Sequence, residues 1–506
     1  MSVNLTKSSY LKGAKCEKYM WLSRHRKDLL KSQSAFELYN IENGKESESY
    51  FHEWFDSAVM VPSNLMDKHE RILETKKFLD QGEELILEAT FEFNNVEVRV
   101  DALKRTDDGF EIYEAKSSTW REKKKTKGEY ITDVAVQYYV LNGLGMKVIK
   151  SYLVLLNSKY EKKESLDLNR LFLPIDISAE VLEMQPSLSD NISNFIRVLS
   201  RSNVEPDSNI GSKCKKDKKD CPAKAYCWKG VPGYSVIDIF TLRKNSQAFT
   251  LLEQGMVKVE DIPVDTKMTP REEFYVNHWK NKSTATDVNK IEEFLSQLKY
   301  PIFHLDFESF SPSVPKYSNS YPYQQIPCQY SVHIEYADGR LEHEEFLTDG
   351  KNDPRIELIP QLLADTAGSS SVLVYEERYE KTRISELARD FPQYAEKLNN
   401  LNARIVDLAK IFKGSGSQGY YSYKFKSGYT LKRVMPTLIP ETDQEYAALS
   451  SKYGTGNGQD AICALKTLTS GASGVDVDFL REGLLEYCKL DTLAMVRILA
   501  AVRAMI

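Results

Sequence analysis

Apolar positions along the chain recur in two rhythms, one of about 3.6 residues and one of two. Between Thr6 and Leu30 the spacing is helical, with Tyr10, Leu11, Tyr19, Met20 and Leu22 as contacts and Thr6 or Ser8 as cap. A second helix is expected from Ile41 to Met60. The rhythm then changes to two. Leu85 to Phe93 predicts a strand ending at Asn94-Asn95, and VEVRVDALKRTDDGFEIYEAK, Val96 to Lys116, predicts a hairpin around an Asp/Gly turn. A helix from Tyr130 to Leu144, a buried strand from Val148 to Asn157 and a helix from Val181 to Ser200 follow. Tyr234 to Asp265 reads as a small helical spacer, continued by a charged helical stretch over 266–298. An apolar strand from Tyr300 to Ser309 then leads into strands at Gln329–Tyr336, Leu341–Leu347 and Ser371–Tyr375. Helices are expected through Ala388, from Tyr429 to Met435, and from Asp478 to Ile506.

A chain of 506 residues holds two or three domains. No run of about 20 apolar residues is present, so no membrane span or membrane partner is expected. The first 22 residues lack an apolar leader core, which points to a cytoplasmic protein. The net charge of -5 does not advertise a nucleic-acid binder, but acidic active sites mask such charge, and REKKKTK, Arg121 to Lys127, is a local basic run.

The hairpin carries the first chemistry. With the turn at Asp107-Asp108, Asp101 lies opposite Glu114, and Lys116 is two residues on. With the turn at Asp108-Gly109, Asp101 faces Lys116 instead, and the shared face survives. Two carboxylates suit magnesium or manganese, and a lysine beside them orients water or offsets charge on a phosphate. The plain alternative is an exposed hairpin with charged outward residues. Glu48 and His52 are four apart on the second helix. Asp306 and Glu308 are two apart on a strand, and Tyr487 and Asp491 four apart on the last helix, so each pair shares a face. Cys214, Cys221 and Cys227 stand in a short polar, basic run, where three cysteines are poor core material and good soft-metal ligands for zinc or an iron–sulfur cluster; inert thiols are the alternative. Cys16 is the natural fourth ligand.

These residues carry two resemblances. Over about residues 5–230 the layout resembles the iron–sulfur branch of the RecB-like PD-(D/E)XK nucleases, with one cysteine before the core and three after it. The resemblance implies a restriction-endonuclease-like fold, metal binding by Asp101 and Glu114, and assistance by Lys116. It implies that Glu48 completes the metal shell, with His52 a rival, and that Gln137 positions substrate. Cys16, Cys214, Cys221 and Cys227 would hold a 4Fe-4S cluster, with zinc as the alternative, joining the ends of the domain. Over about residues 298–506 the chain resembles the DEDDy exonucleases, DnaQ-like and RNase D-like, on an RNase H-like fold. That resemblance implies metal binding by Asp306, Glu308 and Asp491. Glu380 stands at the second acid, with Asp407 as a rescue ligand, and Tyr487 orients water. Glu486, where a histidine-type member has histidine, favours the tyrosine type.

The expected architecture is α/β: a nuclease domain over 1–232, a helical linker over 233–297 and an exonuclease domain over 298–506. The halves in this order resemble a family of uncharacterised bacterial proteins carrying a domain of unknown function. The expected activity is metal-dependent phosphodiester hydrolysis, on DNA rather than RNA because of the RecB-like half. The alternative is a nucleic-acid-binding scaffold with one or both centres inactive. No helicase motif is present, so unwinding would come from a helicase or another repair or defence partner.

Overall fold

The structure, a computed structural model, describes every residue except 1–3, 66, 123–125, 208–209, 212–213, 215–220, 241–246, 414–418, 471–473 and 475. The chain is mixed α/β and divides into two compact units. Residues 1–33, 40–229 and 312–323 form the first; residues 34–39, 230–311 and 324–506 form the second.

Among the described residues the first unit is built on seven strands: β1 (Leu5–Thr6), β2 (Val59–Met60), β3 (Leu85–Phe93), β4 (Val96–Thr106), β5 (Gly109–Trp120), β6 (Val148–Asn157) and β7 (Phe172–Asp176). They lie in the order β2-β3-β4-β5-β6-β7, with β1 beside β4. Thr106 pairs with Gly109, so the hairpin turn is Asp107-Asp108 and Asp101 lies across from Glu114. A Cβ on Gly109 would sit 2.3 Å from the Lys147 carbonyl oxygen, so the strand can start under β6 only with glycine there.

The alternation of β3 and β4 is interrupted at one height. Leu87 pairs with Ala102 and Ala89 with Val100, which places Glu88 across from Asp101. On either side of this level the apolar residues change face: Ile86, Ala89, Val100 and Leu103 join one core cluster, Leu87 and Ala102 another. Glu88 takes φ +61°, left-handed backbone that a side chain of its size rarely adopts. The helices Gly128–Gly143 and Ser178–Ser200 cover one face of the sheet through Val134, Val140, Leu188 and Ile192. On the other face Phe51, from the helix Ala35–Glu53, packs against Leu87, Val154, Leu156 and Phe172. Each fully buried side chain of this size is worth roughly 1.5–3 kcal/mol.

Two expectations about this unit need correction. Thr6 to Leu30 is not one helix. Helices Lys7–Lys15 and Glu17–His25 meet at Cys16, whose backbone is extended, so Cys16 sits at the break and not inside a helix. The break lets Tyr10 and Met20 enter the main core while Trp21 and Leu22 pack with Ala223 beside the later cysteines. The second helix runs Ala35–Glu53, and Val59–Met60 pairs with β3 as a strand. In the basic run, residues 123–125 lie outside the described residues, as do 212–213 and 215–220 of the cysteine run.

The second unit contains β8 (Thr284–Thr286), β9 (Ile302–Phe310), β10 (Ile326–Glu335), β11 (Leu341–Leu347), β12 (Ser371–Val374), β13 (Ile405–Asp407) and β14 (Tyr420–Ser422). The main sheet runs β11-β10-β9-β12-β13, an antiparallel meander extended by two strands parallel to β9. Phe303, Leu305 and Phe307 enter a core with Leu358, Val372, Val374 and Ile384. The even residues His304, Asp306 and Glu308 therefore face the other way. The helix Val477–Arg503 lies on that polar face. Gln329 donates to the Leu484 carbonyl at 2.7 Å, and Thr492 is 2.8 Å from both the Ser331 hydroxyl and His333 Nδ1. The stretch 233–297, expected to be a separate linker, belongs to this unit, because β8 pairs with β14. Among the described residues no helix is long and apolar enough to cross a membrane.

Candidate active sites

In the second unit the central strand β9 delivers Asp306 and Glu308, and the helix Val477–Arg503 delivers Asp491. One ligand oxygen from each lies within 4.8 Å of the others. Burial pushes Asp306 and Glu308 well above the usual carboxylate range, and their neighbours add to it: Asp491 for Asp306, and Asp306 for Glu308. Burial raises Asp491 too, against the pull of Lys432 and of the hydrogen bond from Tyr446. Three crowded carboxylates, two of them buried, are unfavourable as anions and favourable around a divalent cation.

Glu380, on the helix Arg378–Asp390, is 2 % exposed, and its Oε2 has no hydrogen-bond partner. Burial, and next Asp306, push it well up, yet it stands outside the trio of clustered ligand atoms. Asp407 is committed elsewhere: its Oδ1 accepts from the backbone N–H groups of Glu376 at 2.8 Å and Ala409 at 3.0 Å, fixing the turn after β13. Tyr487 is buried one turn before Asp491, and Lys432 donates to its hydroxyl at 3.0 Å. Sequence reasoning gave no role to Lys432 or to Tyr446, whose hydroxyl donates to Asp491. Both come from helices whose approach depends on tertiary packing.

In the first unit Glu114 is 1 % exposed. It accepts from Lys116, from Gln137 at 2.7 Å and from Lys7 at 3.0 and 3.1 Å. Asp133 accepts the same two cations, Lys116 at 2.7 Å and Lys7 at 3.0 Å. Burial alone would raise Glu114, but Lys116 and Lys7 hold it well below the usual range. Burial and the charge of Glu114 push Asp101 well above it. An Asp101 oxygen accepts the Ala115 N–H at 2.8 Å, bridging β4 to β5. Asp101, Glu114, Lys116 and Gln137 are thus brought together. Glu48 joins His52 and Glu88, whose ligand atoms lie within 4.8 Å of one another. His52 Nε2 is 3.2 Å from Glu88, which also pairs with Arg99.

Lys7, Glu88 and Asp133 were missed. Lys7 is 107 positions from Glu114 and carries no local signal. Asp133, four before Gln137 on the same helical face, and Glu88, a charge inside LILEATFEF, both carry one. Cys16, Cys214, Cys221 and Cys227 line one cavity of about 40 Å³ together with Tyr19 and Trp228. Four soft donors from both ends of the unit thus share one cavity, the donor type a thiolate-bound centre uses.

Residues 303–430 match a family described as a domain of unknown function, DUF2779. The match takes in Asp306, Glu308 and Glu380 and stops before Lys432, Tyr487 and Asp491. An uncharacterized protein of Ureaplasma parvum, UU173, is 25% identical over 290 residues, 53% of this chain and 40% of its own length. The uncharacterized protein MG366 of Mycoplasma genitalium is 25% identical over 249 residues, 46% of this chain and 36% of its own. Its homolog in Mycoplasma pneumoniae is 25% identical over 264 residues, 49% of this chain and 39% of its own. The chain thus spans about two fifths of the curated relatives it matches. No solved structure matches it.

Proposed function

We propose that this protein is a metal-dependent nuclease with two phosphodiesterase centres, acting on DNA in preference to RNA. The observation that carries the reading is the trio Asp306, Glu308 and Asp491, two of them buried, with its ligand atoms within 4.8 Å. A five-stranded sheet with acids on its central strand and the last helix across it supports an RNase H-like exonuclease reading of the second unit. The Asp101, Glu114, Lys116 and Gln137 constellation supports a restriction-endonuclease-like reading of the first. The preference for DNA rests on the RecB-like resemblance alone.

In the second unit a divalent cation held by Asp306, Glu308 and Asp491 would supply positive charge where a phosphate develops negative charge, and would acidify a bound water. The chain does the positioning. Tyr446 fixes Asp491, and Lys432 fixes the Tyr487 hydroxyl. In the first unit the Lys116 ammonium is held beside Glu114 and Asp133, where it would offset phosphate charge. The four cysteines would hold an iron–sulfur cluster, or zinc, away from the chemistry.

One observation favours a second reading, a nucleic-acid-binding scaffold with an inactive first centre. Both Glu114 oxygens are already engaged by Lys7, Lys116 and Gln137. The test is cleavage of end-labelled single-stranded DNA, double-stranded DNA and RNA with magnesium or manganese, for wild type, Asp101→Ala/Lys116→Ala and Asp306→Ala/Glu308→Ala. Loss in only one double mutant assigns the activity to that unit. No cleavage by wild type under any condition leaves the scaffold reading.

A further inference from the structure

Phosphodiester cleavage in the second unit faces a charge problem. A phosphate anion must approach Asp306, Glu308, Glu380 and Asp491 together. Among the described residues, Lys432 is the one charged cation whose field lowers the proton affinity of Asp306, Glu308 and Asp491 alike. It enters from the second position of the helix Leu431–Leu438. Its ammonium sits 4.7 Å from the ring centre of Tyr487 and 4.8 Å from that of Tyr446, as a cation–π pair. It donates to the Tyr487 hydroxyl and to the Gly456 carbonyl, each at 3.0 Å. An ammonium has three donors, so one remains for an incoming group. The residue is exposed to solvent while its charged end is fixed on the site. Lys432 thus holds Tyr487, which lies beside Asp491 on the same helical face, while Asp491 accepts from Tyr446.

We propose that Lys432 is a substrate ligand of this centre, its third N–H donating to a non-bridging oxygen of the scissile phosphate while its second bond fixes the Tyr487 hydroxyl. The inference rests on the nuclease reading of the second unit. It adds a contact to substrate from the protein itself, independent of the cation the carboxylates would hold. A fixed ammonium serves better here than bulk counterions, because it needs no reorganisation as charge moves onto the phosphate oxygens. The two tyrosine rings and the Gly456 carbonyl restrict its swing, so the entropy of a lysine side chain is lost on folding and not on binding.

The test is calorimetric binding of deoxythymidine 5′-monophosphate to the full chain with magnesium. This is the phosphate-bearing piece that hydrolysis of a P–O3′ bond leaves. Only the part of the binding that Asp306→Asn/Glu308→Gln abolishes is counted, which assigns it to this centre. Lys432→Met, which keeps the stem and removes the charge, should weaken that binding about tenfold. Magnesium binding without nucleotide should be unchanged or tighter, because a competing cation has gone. Lys432→Arg should recover part of the loss, and melting curves check that both variants fold. Equal nucleotide binding by wild type and Lys432→Met overturns the inference while leaving the nuclease reading intact. An equal loss of magnesium and nucleotide binding in Lys432→Met overturns it too, because Lys432 would then act only through the fold. No nucleotide binding to wild type at this centre overturns the inference together with the reading beneath it.

Discussion

Asp306→Asn should stabilise the second unit without metal and destabilise it, relative to wild type, with metal. Asp306, Glu308 and Asp491 present oxygens within 4.8 Å of one another. At that separation two unit charges repel by about 3.5 kcal/mol at an effective dielectric of about 20. The crowded acids escape part of this by retaining protons, so only part of it is recovered on substitution. Replacing one acid by its isosteric amide therefore gains about 1–3 kcal/mol in chelator, a rise of roughly 3–10 °C in Tm. Magnesium at a hundred times its Kd adds about 2.7 kcal/mol to wild type and little to the variant. The order of the two proteins should invert between chelator and saturating magnesium. Calorimetric melting in the two conditions reads it directly. A variant less stable than wild type in chelator, or one stabilised by magnesium as much as wild type, would refute the cation-site reasoning.

Tyr446→Phe removes a hydrogen bond to a charged group, worth about 1.5–3 kcal/mol, so the affinity for manganese measured by titration should fall at least about tenfold. Lys7→Met leaves Glu114 and Asp133 with one ammonium in place of two and should lower the urea stability of the first unit by about 3 kcal/mol. Because Glu114 is held below its ordinary range, its contribution to stability is present above the unfolded carboxyl value of about 4.3 and is lost as pH falls through the folded one; acid melts should show this loss in wild type and less of it in Lys7→Met. The crowded acids of the second unit have the opposite sign. Their pKa values are raised, so in chelator the second unit should lose stability as pH rises from about 4 toward neutrality, and Asp306→Asn should flatten that slope. Cys221→Ser in anaerobically prepared protein should abolish brown colour and bound iron together if the four cysteines hold iron–sulfur; a colourless wild type that carries zinc would settle the centre as zinc.

The hairpin and the last helix were legible because their geometry is local. Period two places Asp306 with Glu308, and four-residue spacing places Tyr487 with Asp491, before any tertiary contact is known. The hairpin turn left two registers open, and the pairing of Thr106 with Gly109 selects one. What was not legible came through space. Lys7 reaches Glu114 from the other end of the unit, and Tyr446 reaches Asp491 from a separate helix. Glu88 escaped notice because LILEATFEF alternates cleanly on paper, whereas the strand shifts its faces at that residue. Cys16 lay in a continuous helical pattern, and only the cores on either side of it explain why the backbone opens there.

The seating of the helix Val477–Arg503 on the polar face of β9 and β10 has a consequence for synthesis. Asp306 and Glu308 emerge from the ribosome long before Asp491 and Tyr487, and the sheet they belong to can pair while that face is still bare. Until the helix arrives and Thr492 meets Ser331 and His333, the acids of the central strand lack Asp491. The trio of this centre is therefore assembled only after the chain through Asp491 has been made.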